Sequence, residues 1–101
     1  MNAAASNPKR VNIRHNPGGK PAVDQETIEI WSTKGEEIEW ACDHPGQEFY
    51  ICFEGKSPFQ QQHYHSKNNR SGPIQSGASG SYKYSVEVDG HVLDPTVIIK
   101  P

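Results

Sequence analysis

Apolar residues in this chain recur at every second position, in short runs broken by turn-forming residues. Val11 and Ile13 alternate with polar neighbours, as do Ile28 and Ile30 within Glu26–Trp31. Ile38, Trp40 and Cys42 alternate with Glu37, Glu39 and Ala41. Phe49, Ile51 and Phe53 follow, and Tyr82, Tyr84, Val86 and Val88 form the longest such run. Val97 and Ile99 close the chain. Successive side chains of a strand point to opposite faces, so each run gives one row to a core and one to water. No window of a dozen residues sustains the i, i+3, i+4, i+7 pattern of a helix. Ser32-Thr33-Lys34-Gly35 and Asp43-His44-Pro45-Gly46 read as turns, and Asp94-Pro95 as a break. Asp89-Gly90 between two alternating runs predicts a tight hairpin, because both central positions of that turn need positive φ. The polar stretch Gly55–Gly80 reads as a long loop with one short strand near Pro73–Gln75. About seven short strands with such connections predict an all-β, two-sheet Greek-key sandwich.

Composition narrows the class. The 101 residues amount to one domain, and only 33% are apolar, so the core must be thin and rest on the nine aromatics. The segment 1–9 reads as a disordered lead-in and 10–101 as a single sandwich domain. The longest apolar run is Phe49-Tyr50-Ile51-Cys52-Phe53, too short to span a bilayer. The N-terminus lacks the pattern of a signal peptide. Two cysteines, Cys42 and Cys52, are too few for a disulfide scaffold, and the expected setting is a reducing cytoplasm. Charge is uneven: +4 over residues 1–23, −8 over 24–54 and +2 over 55–101. Four diluted cations are a weak nucleic-acid signal, and the acidic middle opposes it.

The segments Gly35-Glu36-Glu37-Ile38-Glu39-Trp40, Phe49-Tyr50-Ile51-Cys52-Phe53 and Gly80-Ser81-Tyr82-Lys83-Tyr84-Ser85-Val86 resemble the strand framework of cupredoxins. Those domains carry a G-x-x-V-x-W strand and a late G-x-Y-x-Y-x-C strand. The chain also resembles small bacterial proteins with a G-x-Y-K-Y-x-V strand and a late Asp-Pro. The match runs over residues 10–100; an immunoglobulin-like sandwich is the alternative. The resemblance implies a blue-copper site, which takes two His, a Cys thiolate and a weak axial Met. Here Val86 stands at the thiolate position, no His falls near Glu48–Tyr50, and Met1 is the only Met. His91 alone has a permitted spacing. The expectation is a cupredoxin-like scaffold without that site and without a cofactor.

Other chemistry finds little footing. Cys42 and His44 could form a nucleophilic pair, but Cys42 shares the apolar row of Ile38 and Trp40 and reads as a small core residue. Cys52 lies off its row and is the more accessible thiol. Glu37 and Glu39 read as a solvated sheet face rather than a hydrolytic pair. Tyr82 and Tyr84 read as core residues rather than a stacking platform for nucleic acid, with Lys83 outward. No phosphate loop, G-x-S-x-G or H-E-x-x-H motif is present. The reading is therefore a non-enzymatic binding module whose partner is a protein. Function on such scaffolds sits in loops, so the Gly55–Gly80 loop is the expected contact, with Phe59, His63, Tyr64, His65 and Arg70. The alternative is a Cu or Zn site using His63 and His65 with His44 or His91.

Overall fold

The computed structural model describes residues 7–101. Its strands are β1 (Asn7–Arg14), β2 (Ala22–Val23), β3 (Thr27–Trp31), β4 (Glu36–Cys42), β5 (Tyr50–Phe53), β6 (His63–His65), β7 (Gly80–Val88), β8 (His91–Leu93) and β9 (Thr96–Lys100). They form two sheets, one ordered β2-β1-β4 and the other β3-β9-β7-β5-β6, with β8 pairing the far half of β7. Two pairs are parallel, β1 with β4 and β3 with β9. Among the described residues no α-helix occurs. A single 3-10 turn, Ser32–Lys34, is the one helical piece among the described residues, and Gly35 ends it at φ 65°.

The alternating rows meet between the sheets as predicted. Val11, Ile13, Ile28, Ile30, Ile38, Ile51, Val86, Val97 and Ile99 are buried. Trp40 sits at the centre, its ring 5.2 Å from Tyr64, 5.7 Å from Tyr84 and 6.3 Å from Phe53. Such tilted and edge-on aromatic contacts pack a large area into a thin core. Asp89 (φ 52°) and Gly90 (φ 81°) form the expected tight turn between β7 and β8.

Several expectations change. β1 begins at Asn7, inside the stretch read as lead-in, and residues 7–9 run in register with Glu36, Glu37 and Ile38 of β4; residues 1–6 lie outside the described residues. The strand expected at Pro73–Gln75 is absent. A strand forms at His63–His65 instead, where the polar–apolar–polar triplet buries Tyr64 between two exposed histidines.

Glu37 does not lie on a solvated face. Both Glu36 and Glu37 are buried. Glu36 accepts the Trp31 backbone N–H at 2.7 Å, and Glu37 accepts that of Gly72 at 3.3 Å. They satisfy backbone donors that the sheets leave unpaired.

The segment 69–71 closes the open edge of β4. Trp40 N–H donates to the Asn69 carbonyl (2.9 Å) and Ser71 N–H to that of Ile38 (2.8 Å). The Ser71 hydroxyl accepts from Ile38 N–H (2.8 Å), and the Asn69 amide donates to the Trp40 carbonyl (2.7 Å). This segment therefore covers the middle of that edge, at Ile38 and Trp40.

Candidate binding surface

The long connection between β5 and β7 is held down by its own side chains. Phe59 is fully buried, its ring 5.7 Å from that of Phe53. Tyr64 is buried and its hydroxyl donates to the Ser71 carbonyl at 2.7 Å. Both residues expected as contacts are thus anchors: an aromatic ring isolated in a polar loop gains most by entering the core. His63, His65 and Arg70 remain exposed. Arg70 bridges toward β4, its Nε 4.0 Å from a Glu37 carboxylate oxygen, on the opposite sheet from the histidines.

The histidines of the metal alternative stand on three different elements. His63 and His65 share one face of β6, His44 belongs to the β4–β5 turn, and His91 opens β8. Among the described residues, no three His, Cys, Asp or Glu side chains are placed to hold a metal ion.

Pairing register reveals a feature that no single segment announces. Tyr50 lies opposite His65 on one side and Glu87 on the other, and Glu87 lies opposite Val92. Directly opposed residues of antiparallel strands project to the same face. His65, Tyr50, Glu87 and Val92 therefore form one exposed row across β6, β5, β7 and β8. Tyr50 (51% exposed) and Val92 (44%) are the exposed large hydrophobic residues of the described chain. The Tyr50 hydroxyl donates to Glu48 at 3.1 Å. That bond, with the negative charges of Glu48 and Glu87, raises the Tyr50 pKa above its ordinary value. Asp89 adds a third carboxylate to the shallow groove beside Tyr50.

Next to this row, three loops meet at one end of the sandwich. His15 Nε2 lies 2.8 Å from Asp89 Oδ2. The Gln47 amide donates both to Asp89 (3.3 Å) and to the Glu48 carbonyl (3.0 Å). The His15 ring is 5.4 Å from that of His44, and its backbone N–H donates to Asp43 at 3.0 Å. The Asp89 pKa is lowered first by the His15 hydrogen bond and that of Asp43 first by the His15 backbone N–H. The Cys42 thiol donates to Asp43 at 3.8 Å rather than to an imidazole, and burial pushes its pKa up. A thiol kept protonated in this way is a poor nucleophile. Both cysteines are free. No local pattern announces this cluster, because His15, Gln47 and Asp89 are far apart along the chain.

Among the described residues, no helix is long and apolar enough to cross a membrane. No protein-family model, curated protein or solved structure matches the chain.

Proposed function

We propose that the chain is a non-enzymatic binding module on a cupredoxin-like Greek-key sandwich lacking a blue-copper site, and that it captures a partner protein on the face of β5–β8. The observation that carries this is the alignment of Tyr50 and Val92 in one exposed row. Exposed tyrosines anchor many protein interfaces, since they bury a large area while ordering only two torsions. Glu48, Glu87 and Asp89 around Tyr50 favour a partner patch bearing Lys or Arg. His63 and His65 extend the same face; Arg70 lies outside it.

The parallel pairs β1–β4 and β3–β9 support the cupredoxin-like reading over the immunoglobulin-like one, whose sheets are antiparallel. Val86, at the place of the copper thiolate, is wholly enclosed among apolar neighbours. Free thiols fit a reducing, cytoplasmic setting.

The test is affinity capture from the native host with quantitative mass spectrometry, comparing wild type with Tyr50→Ala/Val92→Ser and with a remote Glu29→Ala control. The reading requires one or more proteins retained by wild type and the control, lost with the double variant, and rebound by purified wild type. Unchanged capture by the double variant overturns it. So does a wild-type dimer in light scattering that the double variant dissociates, because the face then serves self-association.

A further inference from the structure

A second concave surface lies elsewhere, between the start of the β5–β6 connection and the end of the β6–β7 connection. It is a groove of about 460 Å³, within the range of small-molecule sites. Its walls carry Gln60, Gln61, Gln62 and Gln75, with Tyr82 and a single cation, Lys56. Among the described residues, no carboxylate lines it.

Three of these four amides are held by hydrogen bonds. Gln62 commits its NH2 group to the carbonyls of Phe53 and Gly55, and Gln75 commits its own to the carbonyl of Phe59. The opposite orientation would set amide oxygen against carbonyl oxygen. Each therefore keeps a carbonyl oxygen as a fixed acceptor. Gln61 is held the other way: its oxygen accepts from the Asn68 amide at 3.0 Å, so its NH2 group remains a donor. Tyr82 is half-buried, and its hydroxyl accepts the Ser79 backbone N–H at 3.3 Å, which steadies a ring that lines the groove.

These fixed, neutral donors and acceptors beside an aromatic ring define a ligand chemistry. An anion would find a single amine, Lys56, in a lining otherwise made of neutral groups. A cation would find no carboxylate. An apolar ligand would strand the amides without water, at a cost of about 1–3 kcal/mol each. A hydroxyl group both donates and accepts, so a neutral polyhydroxylated ligand satisfies both kinds of partner, while its C–H face can lie on the Tyr82 ring.

We infer that this groove binds a neutral saccharide, with Gln61 as donor, Gln62 and Gln75 as acceptors and Tyr82 as the stacking surface. The site is separate from the protein-contact face and independent of it.

The test is an amide NMR titration of the full chain with cellohexaose, xylohexaose, mannohexaose, maltohexaose and chitohexaose. A heparin hexasaccharide and a Gln/Ser-rich decapeptide serve as comparators. At least one neutral sugar should shift the resonances of Gln60–Gln62 and Gly77–Ala78, with a Kd below about 1 mM. Gln60→Ala/Gln61→Ala should weaken that sugar at least tenfold while leaving the melting temperature unchanged. Tyr82→Leu should weaken it as well, and Tyr82→Phe should retain it. The inference fails if no neutral sugar shifts these resonances, if only heparin or the peptide does, or if the Gln60/Gln61 variant binds as wild type does.

Discussion

Tyr84→Phe should stabilise this protein, although Tyr84 is among its most deeply buried side chains. Its ring packs 5.2 Å from Phe53 and 5.7 Å from Trp40. Its hydroxyl is enclosed without a hydrogen-bond partner, and so is the neighbouring Trp40 indole N–H. The two polar atoms are close enough for the indole to oppose the rise in the Tyr84 pKa, yet they do not reach hydrogen-bond geometry. An enclosed hydroxyl without a partner costs about 1–3 kcal/mol. Deleting the oxygen leaves a void of about 15 Å³, worth roughly 0.4 kcal/mol at 24 cal/mol per Å³. The balance is a gain of about 0.6–2.6 kcal/mol. At about 4–8 °C per kcal/mol for a domain of this size, the melting temperature should rise by roughly 2–21 °C. Urea unfolding followed by tryptophan fluorescence measures the difference, with an unchanged m-value as the check that only stability moved. A loss of 1 kcal/mol or more would refute the reasoning. It would mean that the hydroxyl accepts a full hydrogen bond from Trp40 in solution.

Tyr64→Phe should act in the opposite direction. It removes the donor to the buried Ser71 carbonyl and should cost about 1–3 kcal/mol in urea unfolding. Stability should also fall at high pH. Burial pushes both Tyr64 and Tyr84 up to about 12, so their contribution is fully present below the ordinary phenol value of about 10 and is lost as pH rises through 12. For Tyr84 the loss is about 3 kcal/mol, and the Phe variants should each flatten the decline in melting temperature between pH 10 and 12. At the acid end, Asp43 and Asp89 have lowered pKa values. Their contribution is present above the ordinary carboxylate value and lost as pH falls through the folded one, so Asp89→Asn should reduce the acid slope below about pH 4. Gly90→Ala should destabilise the β7–β8 hairpin by about 1–2 kcal/mol through its φ of 81° alone, since nothing lies within 4 Å of the added carbon; a neutral melting temperature would contradict this.

The strands with a strong apolar row were legible because period two is a local property. Ile38 and Trp40, or Tyr84, Val86 and Val88, declare their face without reference to any partner. β2 and β8, of two and three residues, are too short to show a period and exist only because β1 and β7 offer them an edge. Phe59 and Tyr64 misled for a related reason. One aromatic in a polar loop carries no pattern, and whether it faces water or the core depends on where the loop is pinned. Glu36 and Glu37 show the same limit with the opposite sign. Charge suggests water, but each carboxylate answers a backbone N–H brought to it by tertiary structure. The proposed contact face was illegible because it is a property of register. Tyr50, Glu87 and Val92 become neighbours only when β5, β7 and β8 pair without a slip.

Packing and polar contacts divide the work at the end where β4–β5 and β7–β8 turn. Val86 is wholly enclosed in the apolar core, so that position serves packing. The polar groups at this end serve another purpose. Asp89 holds His15 of the β1–β2 connection and Gln47 of the β4–β5 connection, and Gln47 in turn holds the carbonyl of Glu48. Glu48 is the residue whose carboxylate receives the Tyr50 hydroxyl. Hydrogen bonds thus run from the imidazole of His15 through Asp89 and Gln47 to the Glu48 backbone, and the Glu48 side chain makes a separate one with the exposed tyrosine of the proposed contact face. Fixing Glu48 and Tyr50 before a partner arrives lowers the side-chain ordering cost of association, about 0.5–1.5 kcal/mol for each immobilised side chain. On the proposed function, the imidazole–carboxylate pair at this end supports the recognition surface.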